Sequence, residues 1–181
     1  MKPMKIILIG LPILLVVFLI LVALQPADYK VVRSTSIAAP PSAVFGHIND
    51  LHKFMDWSPW AKVDPNCKYT FEGPASGPGS AFSWEGNASV GAGKMTITES
   101  RASELVRARL DFFKPFAGVG EAEYGMKADG NKTLVSWTMT GKKVFITKAI
   151  GMFVSMDRML GGQFEAGLAN LKTIVETGPK T

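Results

Sequence analysis

The side chains that could carry acid–base chemistry are few and widely separated. The two histidines, His47 and His52, are five residues apart, so a helix would not present them on one face. No serine nucleophile motif accompanies them. Glu121 and Glu123 share one face of a predicted strand, as a carboxylate pair for proton transfer requires, but an outer solvated face gives the same spacing. We therefore predict no catalytic residues from these groups.

The cysteine and histidine content leaves little material for a metal site. One cysteine, Cys67, rules out an internal disulfide and any zinc site built on cysteines. Three glycine triplets, at residues 77–79, 91–93 and 118–120, lack the strand-then-helix context of a phosphate-binding loop. We expect no metal and no cofactor.

The composition is that of a folded domain with an apolar appendage. The chain has 181 residues, of which 47% are apolar and 19% charged, which excludes a disordered or low-complexity chain. The net charge is +5, and its basic side chains are dispersed rather than gathered into a patch, so we expect no nucleic-acid partner. The oligomeric state is not indicated.

The apolar excess comes from residues 6–24, which contain no charged side chain. As a helix, this run would be about 28 Å long, close to the hydrocarbon thickness of a bilayer. Lys2 and Lys5 precede it and favour a cytoplasmic amino terminus. The sequence thus predicts an uncleaved membrane anchor at residues 1–27, a transmembrane helix in a single-pass protein of the cell membrane, with the domain on the extracytoplasmic side. A cleaved signal peptide and a buried core helix are the alternatives.

Residues 28–177 are predicted to form one α+β domain. Two short helices, one opening at Pro41 and one at residues 51–54, follow the first strand, and a long helix with apolar residues every three or four positions covers residues 155–176. Seven segments have strand character: residues 29–37, 68–72, 80–85, 93–100, 105–113, 118–127 and 133–140. This order predicts a curved antiparallel sheet with one long carboxy-terminal helix on one face.

Large apolar side chains are concentrated where that helix would meet the sheet. They fit either a close-packed core or an apolar chamber with a few polar groups. Gly161-Gly162 inside the long helix admits the same two interpretations, close packing or the mouth of a cavity. The candidate residues for a ligand cavity are Trp57, Trp60, Phe82, Trp84, Leu110, Phe112, Trp137, Met139, Met152, Met156, Leu160 and Phe164.

Several recognisable strings occur along the domain. One is the tryptophan–proline turn with the residues before it, Phe54-Met55-Asp56-Trp57-Ser58-Pro59-Trp60, and the others are at residues 37–45, 64–65, 77–79, 84–87, 135–137 and 159–172. In these strings and their order, residues 29–176 resemble the START-like helix-grip superfamily (SRPBCC), within it the bacterial polyketide cyclase/dehydrase-like branch. The resemblance implies a seven-stranded sheet wrapped around the carboxy-terminal helix and a deep apolar cavity between them. Members bind lipids, sterols, polyketides or hormones, and some are cyclases or hydrolases.

Three functions remain open at this point. The leading hypothesis is membrane-tethered binding of a hydrophobic small molecule or lipid, with the membrane contacted through the amino-terminal helix. The second is a cyclase- or hydrolase-like enzyme on an apolar or polyketide-like substrate, with Glu85, Asp111 or Glu121 facing inward as a general base. The third is an interaction module of the cell envelope with a filled core and no ligand.

Overall fold

A computed structural model describes the backbone of residues 3–178 and the side chains of residues 11–178. Among the residues so described, no helix is both long and apolar enough to cross a membrane. The predicted anchor includes residues 1 and 2, which lie outside the described part of the chain, and residues 3–10, whose side chains lie outside it. The structure thus gives no support to a transmembrane helix.

The element order agrees with the α+β pattern of the sequence. The helices are α1 (Pro3–Leu24), α2 (Pro41–Ile48), α3 (Leu51–Trp57), α4 (Phe145–Gly151) and α5 (Met156–Thr177), with a 3-10 turn at Pro59–Lys62. The strands are β1 (Asp28–Ile37), β2 (Lys68–Glu72), β3 (Ala81–Glu85), β4 (Ala92–Arg101), β5 (Leu105–Lys114), β6 (Gly118–Asp129) and β7 (Lys132–Lys142).

The seven strands form one antiparallel sheet in the order β1-β7-β6-β5-β4-β3-β2. The prediction of a seven-stranded antiparallel sheet with a carboxy-terminal helix is confirmed. Helix α5 contacts β1, α2, α3 and the 3-10 turn. Phe164, Leu168 and Leu171 of α5 are buried because they recur at the spacing of one helix face. The main core therefore lies between α5 and the sheet.

Helix α4 was not predicted, and its sequence explains why. Val144 stands at its amino-terminal cap position and offers no side-chain cap, so the usual start signal is absent. The helix has no buried residue, and Phe145 and Ile146 are exposed. A helix without a buried stripe carries no amphipathic period to read.

Gly161 serves a different purpose from the cavity opening considered in the sequence. A Cβ at this position would collide with the guanidinium of Arg33. That guanidinium lies over α5 and pairs with Asp157 at 2.7 Å and Glu165 at 2.6 Å. A Cβ at Gly162, by contrast, would have no atom within 4 Å and would face open space. Gly161, and not Gly162, therefore makes room for a strand-to-helix ion pair on the surface.

Candidate ligand cavity

A cavity of about 140 Å³ lies between the sheet, α3, the 3-10 turn and α5. This size matches an engineered cavity of about 150 Å³ that takes up benzene, and it is smaller than the pockets of drug-sized ligands. Among the residues that the structure describes, its wall contains no Asp, Glu, His, Lys or Arg. The lining residues are Phe54, Met55, Ser58, Trp60, Tyr69, Phe82, Trp84, Val90, Met95, Leu110, Phe112, Ala122, Tyr124, Trp137, Met139 and Leu160.

Strand alternation brings the sheet side of this wall together. Side chains two residues apart on a strand point to the same face. Ala122 pairs with Met139 and Tyr124 pairs with Trp137 across β6 and β7, so the four side chains stand on one face as neighbours. The rings of Tyr124 and Trp137 have centroids 5.1 Å apart. The register of two strands thus fixes one side of the cavity.

Trp137 is held in place by α5. Its indole stacks on Phe164 with centroids 4.2 Å apart and an interplanar angle of 2°. Gly167 admits the Cζ3 edge of the same indole, because a Cβ there would lie 2.9 Å from that atom. Trp60 closes over it edge-on at 5.7 Å. These contacts leave the indole little freedom to turn.

The polar groups of the wall are neutral. Trp84 donates its indole N–H to the carbonyl of Val90 at 3.4 Å. Burial raises the pKa of Tyr124 well above its usual value of 10, and burial is also the largest cause of the raised pKa of Tyr69. The indole N–H of Trp137 is buried and has no acceptor among the described residues. The cavity therefore suits an uncharged molecule.

The structure brings many of the sequence candidates to this wall. It places Trp60, Phe82, Trp84, Leu110, Phe112, Trp137, Met139 and Leu160 there.

The other four candidates lie elsewhere. Trp57 is completely buried in the core beside the cavity and donates its indole N–H to the carbonyl of His47 at 3.0 Å. Phe164 lies behind Trp137 and is also completely buried. Met156 packs against the edge of the core, and Met152 is exposed at the end of α4. These four side chains lie outside the cavity wall because they are packed in the core or exposed to solvent, and their contact with a ligand stays a prediction.

Several lining residues were missed by the sequence reasoning. Tyr124 and Ala122 alternate with Glu121 and Glu123 on β6, so the glutamates marked the outer face and their neighbours the inner one. That alternation is the signal that could have found them. The other missed residues are Phe54, Met55, Ser58, Tyr69, Val90 and Met95.

The expected general bases do not reach the cavity. Glu85 is exposed and pairs with Lys114 at 3.1 Å. Asp111 pairs with Arg109 at 2.7 Å, and this hydrogen-bonded guanidinium lowers the pKa of the carboxyl. Glu121 is exposed on the outer face of β6. The prediction that one of these carboxylates faces inward is therefore wrong.

The cavity approaches one end of the sheet. Phe112 pairs with Gly118 and Asp28 pairs with Lys142, so the end of β5, the start of β6, the end of β7 and the start of β1 lie together. The turn between β3 and β4, which carries Val90, lies at the same end. Phe112 and Val90 line the cavity. We call this the α1 end of the sheet, since α1 leads into β1 there.

Apolar side chains are exposed around the α1 end. Helix α1 contacts α4, and Lys148 of α4 donates to the carbonyl of Ala23 at 3.3 Å. The side chain of Phe153, just after α4, is 76% exposed. Exposed apolar clusters of this kind mark contact surfaces. The exposed apolar residues of the β5–β6 turn and of the α4 segment are Phe113, Phe116, Val119, Val144, Phe145, Ile146, Ile150, Met152 and Phe153.

Comparison with known proteins places this geometry in context. The family model described as "Polyketide cyclase / dehydrase and lipid transport" matches residues 28–176. No curated protein matches the chain.

Solved structures share the fold at low sequence identity. Protein MLL2253 from Mesorhizobium loti superposes with a TM-score of 0.61 at 12% identity, covering 84% of this chain and 100% of its own. Protein CV1439 from Chromobacterium violaceum superposes with a TM-score of 0.59 at 14% identity, covering 85% of this chain and 100% of its own. The Aha1 dimer from Colwellia psychrerythraea gives 0.59 at 15%, covering 84% and 99%. At these identities the likeness shows the fold alone.

Proposed function

The chain belongs to the polyketide cyclase/dehydrase and lipid transport family, and from that premise we propose that it binds an uncharged, largely apolar small molecule or lipid group between α5 and the sheet. The observation that carries the proposal is the cavity of about 140 Å³, whose wall has no charged side chain in the described part of the chain. An apolar ligand that enters such a space gains contacts with the wall that are otherwise missing.

Transfer of the ligand from water supplies the affinity. A single-ring molecule burying roughly 240 Å² of apolar surface gains about 6 kcal/mol at 25 cal/mol per Å². Part of this is lost as the ligand gives up its translational and rotational freedom. A longer ligand requires the wall to yield, and Met55, Met95 and Met139 give it flexible side chains. Binding of compact apolar groups is therefore favoured over that of long rigid ones.

Uptake of a probe by the purified chain tests the proposal. Titration with toluene, followed by calorimetry and by native mass spectrometry for co-purifying species, is expected to show saturable binding at one site. The matched control is Ala122→Leu, which places side-chain carbon inside the cavity and is expected to abolish the uptake. Absence of saturable binding in the wild-type chain would leave the third function, an interaction module without a ligand.

The proposal includes a membrane tether that holds the cavity near its ligand source. It is supported by the uncharged run at residues 6–24 and by the exposed side chains of α1, such as Leu11 and Leu14. Lys2 and Lys5 at the amino terminus support an extracytoplasmic domain. The exposed apolar residues at the α1 end would then face the bilayer, close to where the cavity approaches the surface. A tether raises the effective concentration of a membrane-borne ligand at that site.

Extraction from membranes tests the tether. The full chain, expressed in cells, is expected to stay in the membrane pellet after alkaline carbonate treatment. The double variant Leu14→Arg with Val17→Arg should move to the supernatant, because each charge costs about 2.5–3.5 kcal/mol at the centre of a membrane helix. Leu134→Arg, at an exposed position on β7, is the control and should remain in the pellet. Release of the wild-type chain by carbonate would contradict the tether.

A further inference from the structure

The buried indole N–H of Trp137 lacks a partner among the described residues, and it defines the ligand more narrowly. We infer that the ligand carries an uncharged oxygen, in a carbonyl, hydroxyl or ether group, that accepts a hydrogen bond from the indole N–H of Trp137. This inference rests on the proposed function, because it concerns what occupies the same cavity.

Burial makes the unpartnered N–H informative. Trp137 is 2% exposed, and its Nε1 has no acceptor among the described residues. A buried donor without an acceptor destabilises the fold by about 1–3 kcal/mol, so such groups are rare in native proteins. A binding site can retain one because the ligand satisfies it. The same group then rejects molecules that lack the matching oxygen.

The orientation of the indole directs the N–H away from α5. The Cζ3 edge lies against Gly167 and beside Pro59, and one face is covered by Phe164. In an indole the N–H is on the edge opposite Cζ3. That edge therefore faces away from Gly167. Tyr124 packs against the same indole, with ring centroids 5.1 Å apart, and Tyr124 and Trp137 both line the cavity.

The other tryptophans show that the free N–H is particular to Trp137. Trp57 donates to the carbonyl of His47 and Trp84 to the carbonyl of Val90. Trp60 is partly exposed, so water is accessible to that side chain. Trp84 also lines the cavity, which makes it a matched control: it has the same side chain in the same wall, but its N–H is already engaged.

The wall also restricts the charge of the ligand. An anion would find no cationic side chain there and a cation no carboxylate, and burying an unpaired charge is costly. Tyr124 carries a second neutral donor in the wall, since its raised pKa keeps the hydroxyl protonated. The expected ligand is a neutral apolar molecule with one oxygen acceptor near its inner end.

A pair of probes with the same shape tests the inference. Acetophenone and α-methylstyrene differ only in C=O against C=CH₂, so only the first has an acceptor. Binding of each to the wild-type chain, Trp137→Phe and Trp84→Phe is measured by titration. The affinity ratio of acetophenone to α-methylstyrene should fall about fivefold in Trp137→Phe, the value of one neutral hydrogen bond, and stay unchanged in Trp84→Phe. The ratio cancels the change in cavity volume, which affects both probes alike.

A spectroscopic measurement on the wild-type chain covers the case in which Trp137→Phe does not fold. The indole N–H resonance of Trp137, assigned through its contacts with Phe164 and Tyr124, should move downfield with acetophenone and not with α-methylstyrene. If both probes bind but neither the ratio nor the resonance responds, the hydrogen bond is refuted while the binding function stands. If neither probe binds, the proposed function fails and the inference with it.

Discussion

Two alanines paired on neighbouring strands allow a test of whether the interior contains a cavity. Ala122 on β6 pairs with Ala108 on β5, and both are buried, at 2% and 0% exposure. Only Ala122 lines the cavity. Substituting each in turn by leucine therefore adds the same side chain on the same face of the sheet, once beside a void and once in packed surroundings.

The size of the void sets the magnitude. At about 24 cal/mol per Å³, filling a cavity of 140 Å³ completely would raise the free energy of unfolding by about 3.4 kcal/mol. A leucine side chain at position 122 fills roughly half of the cavity. Its three added carbons, at about 0.8 kcal/mol each, set an upper bound of about 2.4 kcal/mol on the gain in the free energy of unfolding. After the loss of side-chain rotamers, Ala122→Leu should raise the free energy of unfolding by about 1 kcal/mol. Ala108→Leu should lower it by about 1–3 kcal/mol through overpacking.

Urea unfolding of the two variants and the wild-type chain, followed by far-UV circular dichroism, measures both changes. Thermal midpoints should move in opposite directions, by roughly 2–4 °C per kcal/mol for a chain of this length. Equal destabilisation by both substitutions would mean that the space beside Ala122 is not available to a side chain. The reasoning from an apolar cavity would then be refuted.

Three further changes test the supporting structure. Gly167→Ala should lower the free energy of unfolding by about 1–3 kcal/mol, since its Cβ would press on Trp137. Gly162→Ala faces open space and should raise the free energy of unfolding by about 0.5–1 kcal/mol. Equal shifts of the two variants in chemical denaturation would contradict this. Burial, and to a lesser extent the positive charge of Lys53, lowers the pKa of His47. The unfolded chain therefore binds a proton more readily than the folded chain, and the free energy of unfolding falls as the pH drops below about 6.5. His47→Gln should flatten the stability profile between about pH 7.5 and pH 5, and an unchanged slope would show that this histidine is not responsible. Asp64→Ala should cost about 2 kcal/mol in urea unfolding because its carboxylate accepts the backbone N–H of Asn87 at 2.7 Å; a loss below about 0.5 kcal/mol would show that this link between two loops is dispensable.

The sheet was predictable because its strands alternate and their turns carry glycine, proline and asparagine. The alternation of residues 133–140 placed Trp137 and Met139 on one face, and both line the cavity. The long helix was predictable from the spacing of Phe164, Leu168 and Leu171. These patterns arise from one buried face per element, which is a local property of the sequence.

What the sequence did not reveal depends on contacts between distant segments. Phe54, Met55 and Ser58 reach the cavity only because α3 is positioned against the sheet. A helix of seven residues is too short for its apolar spacing to predict which side chains face the cavity. The guanidinium of Arg33 lies against Gly161 and forms an ion pair between a strand and a helix, and no local sequence motif predicts that contact. Whether an indole N–H finds an acceptor is likewise decided by three-dimensional neighbours, as the contrast between Trp84 and Trp137 shows.

Crystals of the full chain pressurised with xenon provide the most direct measurement of the hollow interior, because xenon enters apolar cavities of this size without needing a hydrogen bond. The account predicts an anomalous-scattering peak bounded by Phe82, Tyr124 and Trp137 in the wild-type chain and its loss in Ala122→Leu. Wild-type crystals with xenon bound elsewhere on the chain and no peak among these three side chains would contradict it.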